Sequence, residues 1–529
     1  MQTHRSNFSF RDFIAGGQLS VCIGGHVACF VTILLIHRRN AMCETSGADD
    51  WHDYPACFGT SLSRQARSPQ PQSVQFIMRT KHLAIICLAA GAWAATPAFA
   101  ETSAESTLAN FHPVKAPEPT RLLLKKGDRL AICGDSITEQ KMYSRLIEDY
   151  LTACVPELKV SVRQFGWGGE RAEGFLKRMT NDCLRFQPTI ATTCYGMNDH
   201  EYRPYEASIG EKYRQYSAAI IASFKAHGVR VVQGSPGCVG NRKWWQKDAT
   251  TEALNLNLCE LRNIDVALAG QNQVGFADVF WPMLTASISA PEKYGTNYAV
   301  AGGDGIHPGW AGHTIMAYAF LKALGLNGEI AILTVDLQAQ KLSVSDGHKL
   351  LTSKDGKFQI RSTRYPFCAG APGGLAADWF PTIGYDNITN SDSIRSGLTL
   401  VPFNKELNRF MLTVKNATAE KYRVTWGNEN AVFTSEQLTR GINLAAEFPL
   451  NPFSAQFAQI DAAVASKQAF ETRQIKTLFR VPGDKVTMEQ ISAQTEKVLK
   501  DTERQHAALE AVVRAAYAPI TYTLAITPV

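Results

Sequence analysis

The sequence predicts an α/β architecture: a parallel sheet layered between helices, then a small β-rich region and a helical hairpin. Three patterns predict it. Between about residues 125 and 325, short apolar runs alternate with stretches of helical i, i+3, i+4 periodicity, the signature of strands joined by crossover helices. Several of those runs end in Gly, Asp, Ser or Asn, the residues that close a strand and open a turn or helix. Beyond residue 330 apolar and polar residues alternate with period two, and beyond residue 450 the period becomes helical again.

The first apolar run, Arg129 to Cys133, leads into Gly134-Asp135-Ser136, and Tyr143, Leu146, Ile147, Tyr150 and Leu151 behind it share one helical face. Ser136 therefore stands where a strand hands over to a helix. Leu158 to Phe165 reads as the next strand and Thr189 to Tyr195 as another. Ser208 to His227 reads as a helix, Val229 to Gln233 as a further strand, Gly275 to Phe280 as the last, and Trp310 to Leu324 as the closing helix. In open sheets of this kind ligands bind outside the carboxyl ends of the strands, and three glycine-containing blocks follow expected strands there.

Four blocks in order carry the chemistry: Gly134-Asp135-Ser136-Ile137, Gly166-Trp167-Gly168-Gly169, Gly196-Met197-Asn198-Asp199 and Asp304-Gly305-Ile306-His307. A serine hydroxyl is a weak nucleophile until an imidazole takes its proton, a role His307 fills for Ser136, while Asp304 fixes the ring and stabilises the imidazolium. Negative charge then develops on the substrate carbonyl oxygen and needs fixed donors. Three are available: the backbone N–H of Ser136, the backbone N–H of Gly169 and the side-chain amide of Asn198. Each residue alone has a plainer reading, Ser136 as a helix N-cap, Asn198 and Asp199 as turn residues, His307 before Pro308 as a loop histidine. Their ordered company points to acyl transfer.

These blocks resemble those of the SGNH hydrolases, also called GDSL-type esterases, whose four defining roles are Ser, Gly, Asn and His. The resemblance covers about residues 125 to 325. It implies a flavodoxin-like three-layer α/β/α domain with a parallel sheet, Ser136, Asp304 and His307 as catalytic residues, and Ser136, Gly169 and Asn198 as the oxyanion hole, with no cofactor and no metal. Two positions depart from the family pattern. Ile137 stands where the GDSL name has leucine, a conservative packing change, and the second block reads Gly-Gly-Glu-Arg in place of the commoner Gly-x-Thr, which bears on the choice of Gly169 over Gly168. Other site motifs fail on single residues. G-x-S-x-G would need glycine where Thr138 stands, and G-x-G-x-x-G, begun by Gly166 and Gly168, would need it at Arg171. Without a Walker loop, C-x-x-C pair or H-E-x-x-H helix, neither a nucleotide nor a metal is implied.

At 529 residues the chain exceeds one ordinary core, and 45% hydrophobic against 19% charged residues argues for a folded protein. The net charge of +6 does not mark a nucleic-acid binder, because half of the excess lies in the first 100 residues and no basic stripe forms. Met78-Arg79-Thr80-Lys81-His82, the apolar stretch Leu83 to Ala95 and Ala98-Phe99-Ala100 before Glu101 read as a secretory signal over 78–100. That implies a periplasmic or secreted protein with no stable membrane insertion after cleavage. Residues 1–77 then read as an extension upstream of the true start; the competing reading is a weak membrane segment in the run Phe13 to Ile36, which Gln18 and His26 interrupt. Cys133, Cys154, Cys183, Cys194, Cys238, Cys259 and Cys368 follow, an odd count that leaves at least one free thiol. Cys133 and Cys194 fall in expected core strands, and a Cys154–Cys183 or Cys238–Cys259 disulfide would suit an oxidising compartment.

The domain expectation is a catalytic domain over 120–330, a β-rich accessory domain over 331–450 and a helical hairpin with a terminal strand over 451–529. Ile332 to Val344, Phe358 to Arg364, Arg409 to Val414 and Lys421 to Trp426 read as antiparallel strands. Ser454 to Ile475 carries Phe457, Ile460 and Val464 on one helical face. Thr487 to Ala516 carries Met488, Ile491, Val498, Leu499, Leu509, Val512 and Ala516 on a stripe that Thr495, Thr502 and Gln505 interrupt, and Ile520 to Ile526 reads as a returning strand. These regions are expected to frame the active-site mouth or bind glycan. Trp167, Glu170, Arg171, Trp310 and the pair Trp244-Trp245 are candidates for a pocket wall or sugar platform, with packing as the plainer reading; His200 and His313 read as structural. Export and an appended β region favour an O-acetylesterase acting on carbohydrate, its partner a small-molecule or polysaccharide ester. Competing readings are a lipid or general carboxylester hydrolase and a non-catalytic carbohydrate-binding protein on the same scaffold.

Overall fold

The computed structural model describes residues 108–241, 249–369, 387–480 and 488–529, without the side chains of 488–491. The leader-like segment 78–100, the stretch 1–77 and Trp244-Trp245 lie outside the described residues. Among the described residues no helix is long and apolar enough to cross a membrane.

Five parallel strands, β1 (Arg129–Gly134), β2 (Ser161–Gln164), β3 (Ile190–Cys194), β4 (Arg230–Gly234) and β5 (Gly275–Ala277), make the first sheet in the order β2-β1-β3-β4-β5. Helices α1 (Ser136–Glu139), α2 (Tyr143–Ala153), α3 (Ala172–Asp182), α4 (Ala207–Ala226), α5 (Thr251–Asn272), α6 (Phe280–Tyr294) and α7 (Trp310–Ala323) follow the strands. The period of two along β1 shows why this is a three-layer body. Leu130 and Ile132 join one core with Leu146, Tyr150, Ile315 and Phe320, whereas Ala131 and Cys133 join a second core with Phe175, Tyr213 and Phe224. From β1 the chain crosses first to β2 on one side and then to β3 on the other. The crevice opened by that reversal lies at the carboxyl ends of β1 and β3.

Two expected strands are shorter than their apolar runs. Pro156–Leu158 is a 3-10 turn, so β2 begins only at Ser161, and Phe280 opens α6, which ends β5 at Ala277.

The β-rich region differs from one antiparallel domain. It holds two sheets, built from β6 (Glu329–Asp336), β7 (Lys341–Val344), β8 (His348–Lys354), β9 (Lys357–Ser362), β10 (Arg409–Lys415), β11 (Lys421–Trp426), β12 (Glu429–Thr434), β13 (Ile442–Asn443) and β14 (Ile520–Pro528). One has the order β13-β10-β6-β7, with β6 and β10 parallel; the other, β12-β11-β14-β9-β8, is antiparallel throughout. A long connection separates β6 from β10, and a parallel pair needs such a crossover where a hairpin turn would not serve. The terminal strand β14 is central, pairing Tyr522 with Ile360 of β9 and Ile526 with Val424 of β11. Tyr522, Trp426, Phe410 and Phe453 pack between the sheets, with Phe410 and Trp426 ring centres 5.0 Å apart.

Helices α8 (Ser454–Arg473) and α9 (Met488–Ala516) pack on each other, and α8 also packs on α2 and β2 of the first sheet. Phe457, Ile460 and Val464 are buried on α8 as their spacing requires. The stripe expected on α9 holds at Val498, Leu499 and Ala516, which pack against the core, and is corrected at Val512, which is 54% exposed, whereas Thr495, His506 and Val513 are buried. Part of the surface that receives α9 is polar. Thr495 Oγ1 accepts from Asn181 Nδ2 at 3.2 Å, Thr502 Oγ1 accepts from Gln474 Nε2 at 2.9 Å, and His506 bridges Arg163 and Glu471 at 2.8 and 2.9 Å.

All seven cysteines from Cys133 onward are buried free thiols. Neither Cys154 with Cys183 nor Cys238 with Cys259 is bonded; the sulfurs that approach one another are those of Cys133 and Cys183, 3.9 Å apart.

Candidate active site

β1 ends at Gly134, and the Asp135 carboxylate accepts the Ile137 N–H at 2.9 Å, which makes Ser136 the first residue of α1. At that position the Ser136 N–H has no partner within the helix. The second block runs close beneath this turn. A Cβ on Gly166 would lie 2.2 Å from the Glu139 nitrogen, so only glycine permits the approach. Trp167 N–H donates to Gly134 O at 3.1 Å and Gly168 N–H to the Glu139 carboxylate, whereas no described group accepts the Gly169 N–H. Of the two glycines, Gly169 is therefore the one with a donor to spare.

The third block follows β3. Asp199 accepts from Gly196 N–H at 3.0 Å and from Ala172 N–H at 3.1 Å, tying this turn to α3, and burial pushes its carboxyl up to about 6. Asn198 Nδ2 donates to Glu170 O at 3.0 Å, while Tyr202 Oη–H donates to Asn198 Oδ1 at 3.2 Å. Both ends of the amide are thus fixed, and the second Nδ2 hydrogen stays available. Glu201 and Tyr202 adopt φ of +57° and +54°, a region side-chain-bearing residues seldom enter, and this turn carries the Tyr202 ring back to Asn198. Glu170 is itself anchored by Arg178 at 2.6 Å and by Tyr195 Oη–H at 3.0 Å.

The fourth block precedes α7. Gly302, at φ +82°, passes the His307 carbonyl so closely that a Cβ would sit 1.7 Å from its oxygen. Asp304 Oδ1 accepts from the backbone N–H groups of Ile306 and His307 at 2.9 and 2.8 Å, and Oδ2 accepts from His307 Nδ1–H at 2.6 Å. This leaves His307 Nε2 to accept from Ser136 Oγ–H, 2.8 Å away. Burial would raise the Asp304 carboxyl, but the hydrogen bonds from the His307 ring and from both backbone N–H groups outweigh it and hold it below the ordinary value. Asp304 therefore carries full charge at neutral pH. Asp135 behaves oppositely: burial pushes it up to about 7 against the pull of the Ile137 N–H, and the Asp199 carboxylate adds to the rise.

Ser136, His307 and Asp304 thus form one hydrogen-bonded chain. Asn198 grips the carbonyl of Glu170, the residue next to Gly169. The other candidates divide. Trp310 is fully buried beneath the Arg145 guanidinium, 5.2 Å from its ring centre, and Glu170 is buried in its ion pair, so both pack and neither lines a pocket. Arg171 is exposed and pairs with Glu201 at 2.9 Å. Trp167 is half-buried, with Arg178, Lys476 and Arg480 on its ring. His313 accepts the Tyr143 N–H and donates to Gln140 at 3.0 Å, and burial pushes it down to about 3; burial likewise pushes His200 down to about 4, so both stay neutral. Two residues went unread in the sequence, Glu139 and Tyr202. Their signal was spacing: Glu139 stands three residues after Ser136, one turn along α1, and Tyr202 four after Asn198.

The model of the GDSL-like Lipase/Acylhydrolase family matches residues 132–315, the span that holds all four blocks. Over that span the chain is similar to the GDSL-like lipases and acylhydrolases. The similarity is to an esterase or acylhydrolase domain, called the GDSL domain below. Among solved structures, BT4096, a gut microbial diltiazem-metabolizing enzyme, aligns with a TM-score of 0.61 at 21% identity, over 77% of this chain and 100% of its own. That coverage exceeds the GDSL domain, so the shared fold reaches into the C-terminal regions. Axe2, an acetylxylan esterase from Geobacillus stearothermophilus, aligns at 20% identity over 39% of this chain and 97% of its own, with a TM-score of 0.32. No curated protein matches the chain.

Proposed function

We propose that the GDSL domain hydrolyses carboxylic esters through an acyl-enzyme on Ser136. The observation that carries this reading is the chain Ser136 Oγ to His307 Nε2 at 2.8 Å and His307 Nδ1 to Asp304 Oδ2 at 2.6 Å. Ser136 Oγ attacks the ester carbonyl carbon as His307 Nε2 takes its proton, and Asp304 stabilises the imidazolium. The oxyanion meets the N–H of Ser136, the N–H of Gly169 and Nδ2 of Asn198. His307 then gives its proton to the departing alkoxide, which leaves as the alcohol. Water, deprotonated by the same nitrogen, attacks the acyl-enzyme; the carboxylic acid departs and Ser136 regains its proton.

For the substrate we propose an O-acetyl ester on carbohydrate, met outside the cytoplasm. This rests on the leader-like segment 78–100 and on the β-rich region appended to the GDSL domain. The test has two stages. A fluorophosphonate probe labels the folded protein and fails to label Ser136→Ala; unlabelled wild-type protein would leave the scaffold as a binding module. Acetate release from acetylated xylan is then compared with turnover of long-chain acyl esters, and a preference for long chains would replace the carbohydrate proposal with a lipid one.

A further inference from the structure

The segment that ends α8 reaches back across the chain to the first two blocks of the site. Gln474–Leu478 is a π-helical turn, an irregularity that often serves a functional position. It presents Lys476, whose Nζ lies 2.6 Å from Glu139 Oε1. The other oxygen of Glu139 accepts the Gly168 N–H, one residue before the donor of Gly169. Glu139 itself sits one turn after Ser136 on α1. A single carboxylate therefore joins the helix that carries the hydroxyl to the turn that carries the oxyanion donor, and the ammonium from the C-terminal helices holds that carboxylate in place.

A second contact set fixes the same turn. The Trp167 ring is flanked by three cations, Lys476 Nζ at 5.1 Å, Arg480 at 4.7 Å and Arg178 at 5.1 Å from its centre. Each cation is paired with a carboxylate: Glu139 for Lys476, Glu170 for Arg178, and Asp182 shared between Arg480 and Arg178. Their charges are spent within the protein, so the arrangement suits holding the turn and not gripping an anionic substrate.

We infer that Lys476 is a positioning residue for acyl transfer, fixing through Glu139 the backbone turn that aims the Gly169 N–H at the oxyanion. The inference rests on the acyl-enzyme reading of Ser136. It gives the C-terminal helices a share in the chemistry, beyond covering the sheet. Lys476 and Glu139 are 31% and 12% exposed, and the Gly168 N–H stays on the carboxylate when the ammonium is removed, so the ion pair contributes modestly to stability. Its loss should move rate more than folding.

The experiment uses the full chain and a short-chain aryl acetate. Lys476→Met lowers kcat about tenfold, less than outright removal of a donor, and changes KM by less than about twofold, because a loosened donor is felt in the transition state. Lys476→Arg restores most of the rate. The melting temperature moves by no more than about 3 °C. Glu139→Gln, which keeps an acceptor for Gly168 N–H but not the charge, gives a similar loss. The double variant is no slower than the slower single one, since both cut the same link. Ser136→Ala, run in parallel, separates the two readings: if it retains turnover the acyl-enzyme fails, whereas if it is inactive while Lys476→Met keeps wild-type kcat, or the two losses simply multiply, the positioning role alone is overturned.

Discussion

Replacing Asp304 by asparagine separates the two jobs its carboxylate does. Oδ1 holds the loop by accepting from the N–H groups of Ile306 and His307, and Oδ2 sets the ring by accepting from His307 Nδ1–H. The asparagine carbonyl can keep the loop bonds. Its NH2 then faces Nδ1, which must turn from donor to acceptor, so the ring proton moves to Nε2 and confronts Ser136 Oγ. A base with its proton already on the working nitrogen cannot accept another. In serine proteases that tautomer change costs about 10⁴ in kcat. Here the side chains of Asp304 and His307 are 31% and 24% exposed, so water can partly support the correct tautomer. A loss of about 10³ in kcat/KM follows, equivalent to about 4 kcal/mol of transition-state stabilisation. The assay is steady-state hydrolysis of an aryl acetate, with a thermal melt to show that the loop has survived. Asp304→Ala, which forfeits the loop bonds as well, should melt lower than Asp304→Asn while losing at least as much rate. Asp304→Asn retaining more than about a tenth of wild-type kcat/KM would refute the ring-setting role.

Asn198→Ala removes one oxyanion donor and lowers kcat about a hundredfold, with fluorophosphonate labelling slowed in step; unchanged labelling would contradict its role. Gly302→Ala forces a Cβ onto the His307 carbonyl and, at φ +82°, has no relaxed backbone to retreat to, so kcat/KM falls by at least about a hundredfold and the melting temperature drops. Asp135 is raised from 3.8 to about 7, so the native state keeps a proton the unfolded chain has released, and stability falls as pH rises through that window by up to about 4 kcal/mol in all. Asp135→Asn keeps the cap on Ile137 N–H and should make the fall between pH 6 and 7 shallower without abolishing it, because Glu148, also raised to about 7, and Asp199, raised to about 6, still contribute; denaturant titrations across pH check it.

The candidate site was legible where a role calls for a particular side chain, because side chains are what a sequence displays. Ser136, Asn198, Asp304 and His307 announce themselves by type and order. The backbone donor does not. Gly168 and Gly169 look alike on paper, and they part only when the fold gives the Gly168 N–H to Glu139 and leaves that of Gly169 without an acceptor. The first sheet was legible for a related reason: both faces of β1 are covered, so its residues form an unbroken apolar run, and that run ends two residues short of Ser136, at Gly134.

The C-terminal helices were harder to read because their docking surface is partly polar. An apolar stripe signals a helix that buries itself against hydrocarbon, as Val498 and Leu499 of α9 do, but at Val512 the stripe misled: Val512 faces solvent while Thr495, which seemed to break the pattern, is buried against Asn181. On α8 the apolar face Phe457, Ile460 and Val464 continues into Lys467, Gln468 and Glu471, all buried and paired with one another or with Glu148, Val162 and Gln164 of the first sheet and its helix. Such contacts have no periodicity to betray them, since each depends on a partner some three hundred residues away. They also hold position differently from an apolar face, which tolerates sliding, because a buried ion pair or hydrogen bond is costly to leave unmade and so fixes one register. A helix that must bring Lys476 to within 2.6 Å of Glu139 needs that kind of register, and a polar interface supplies it.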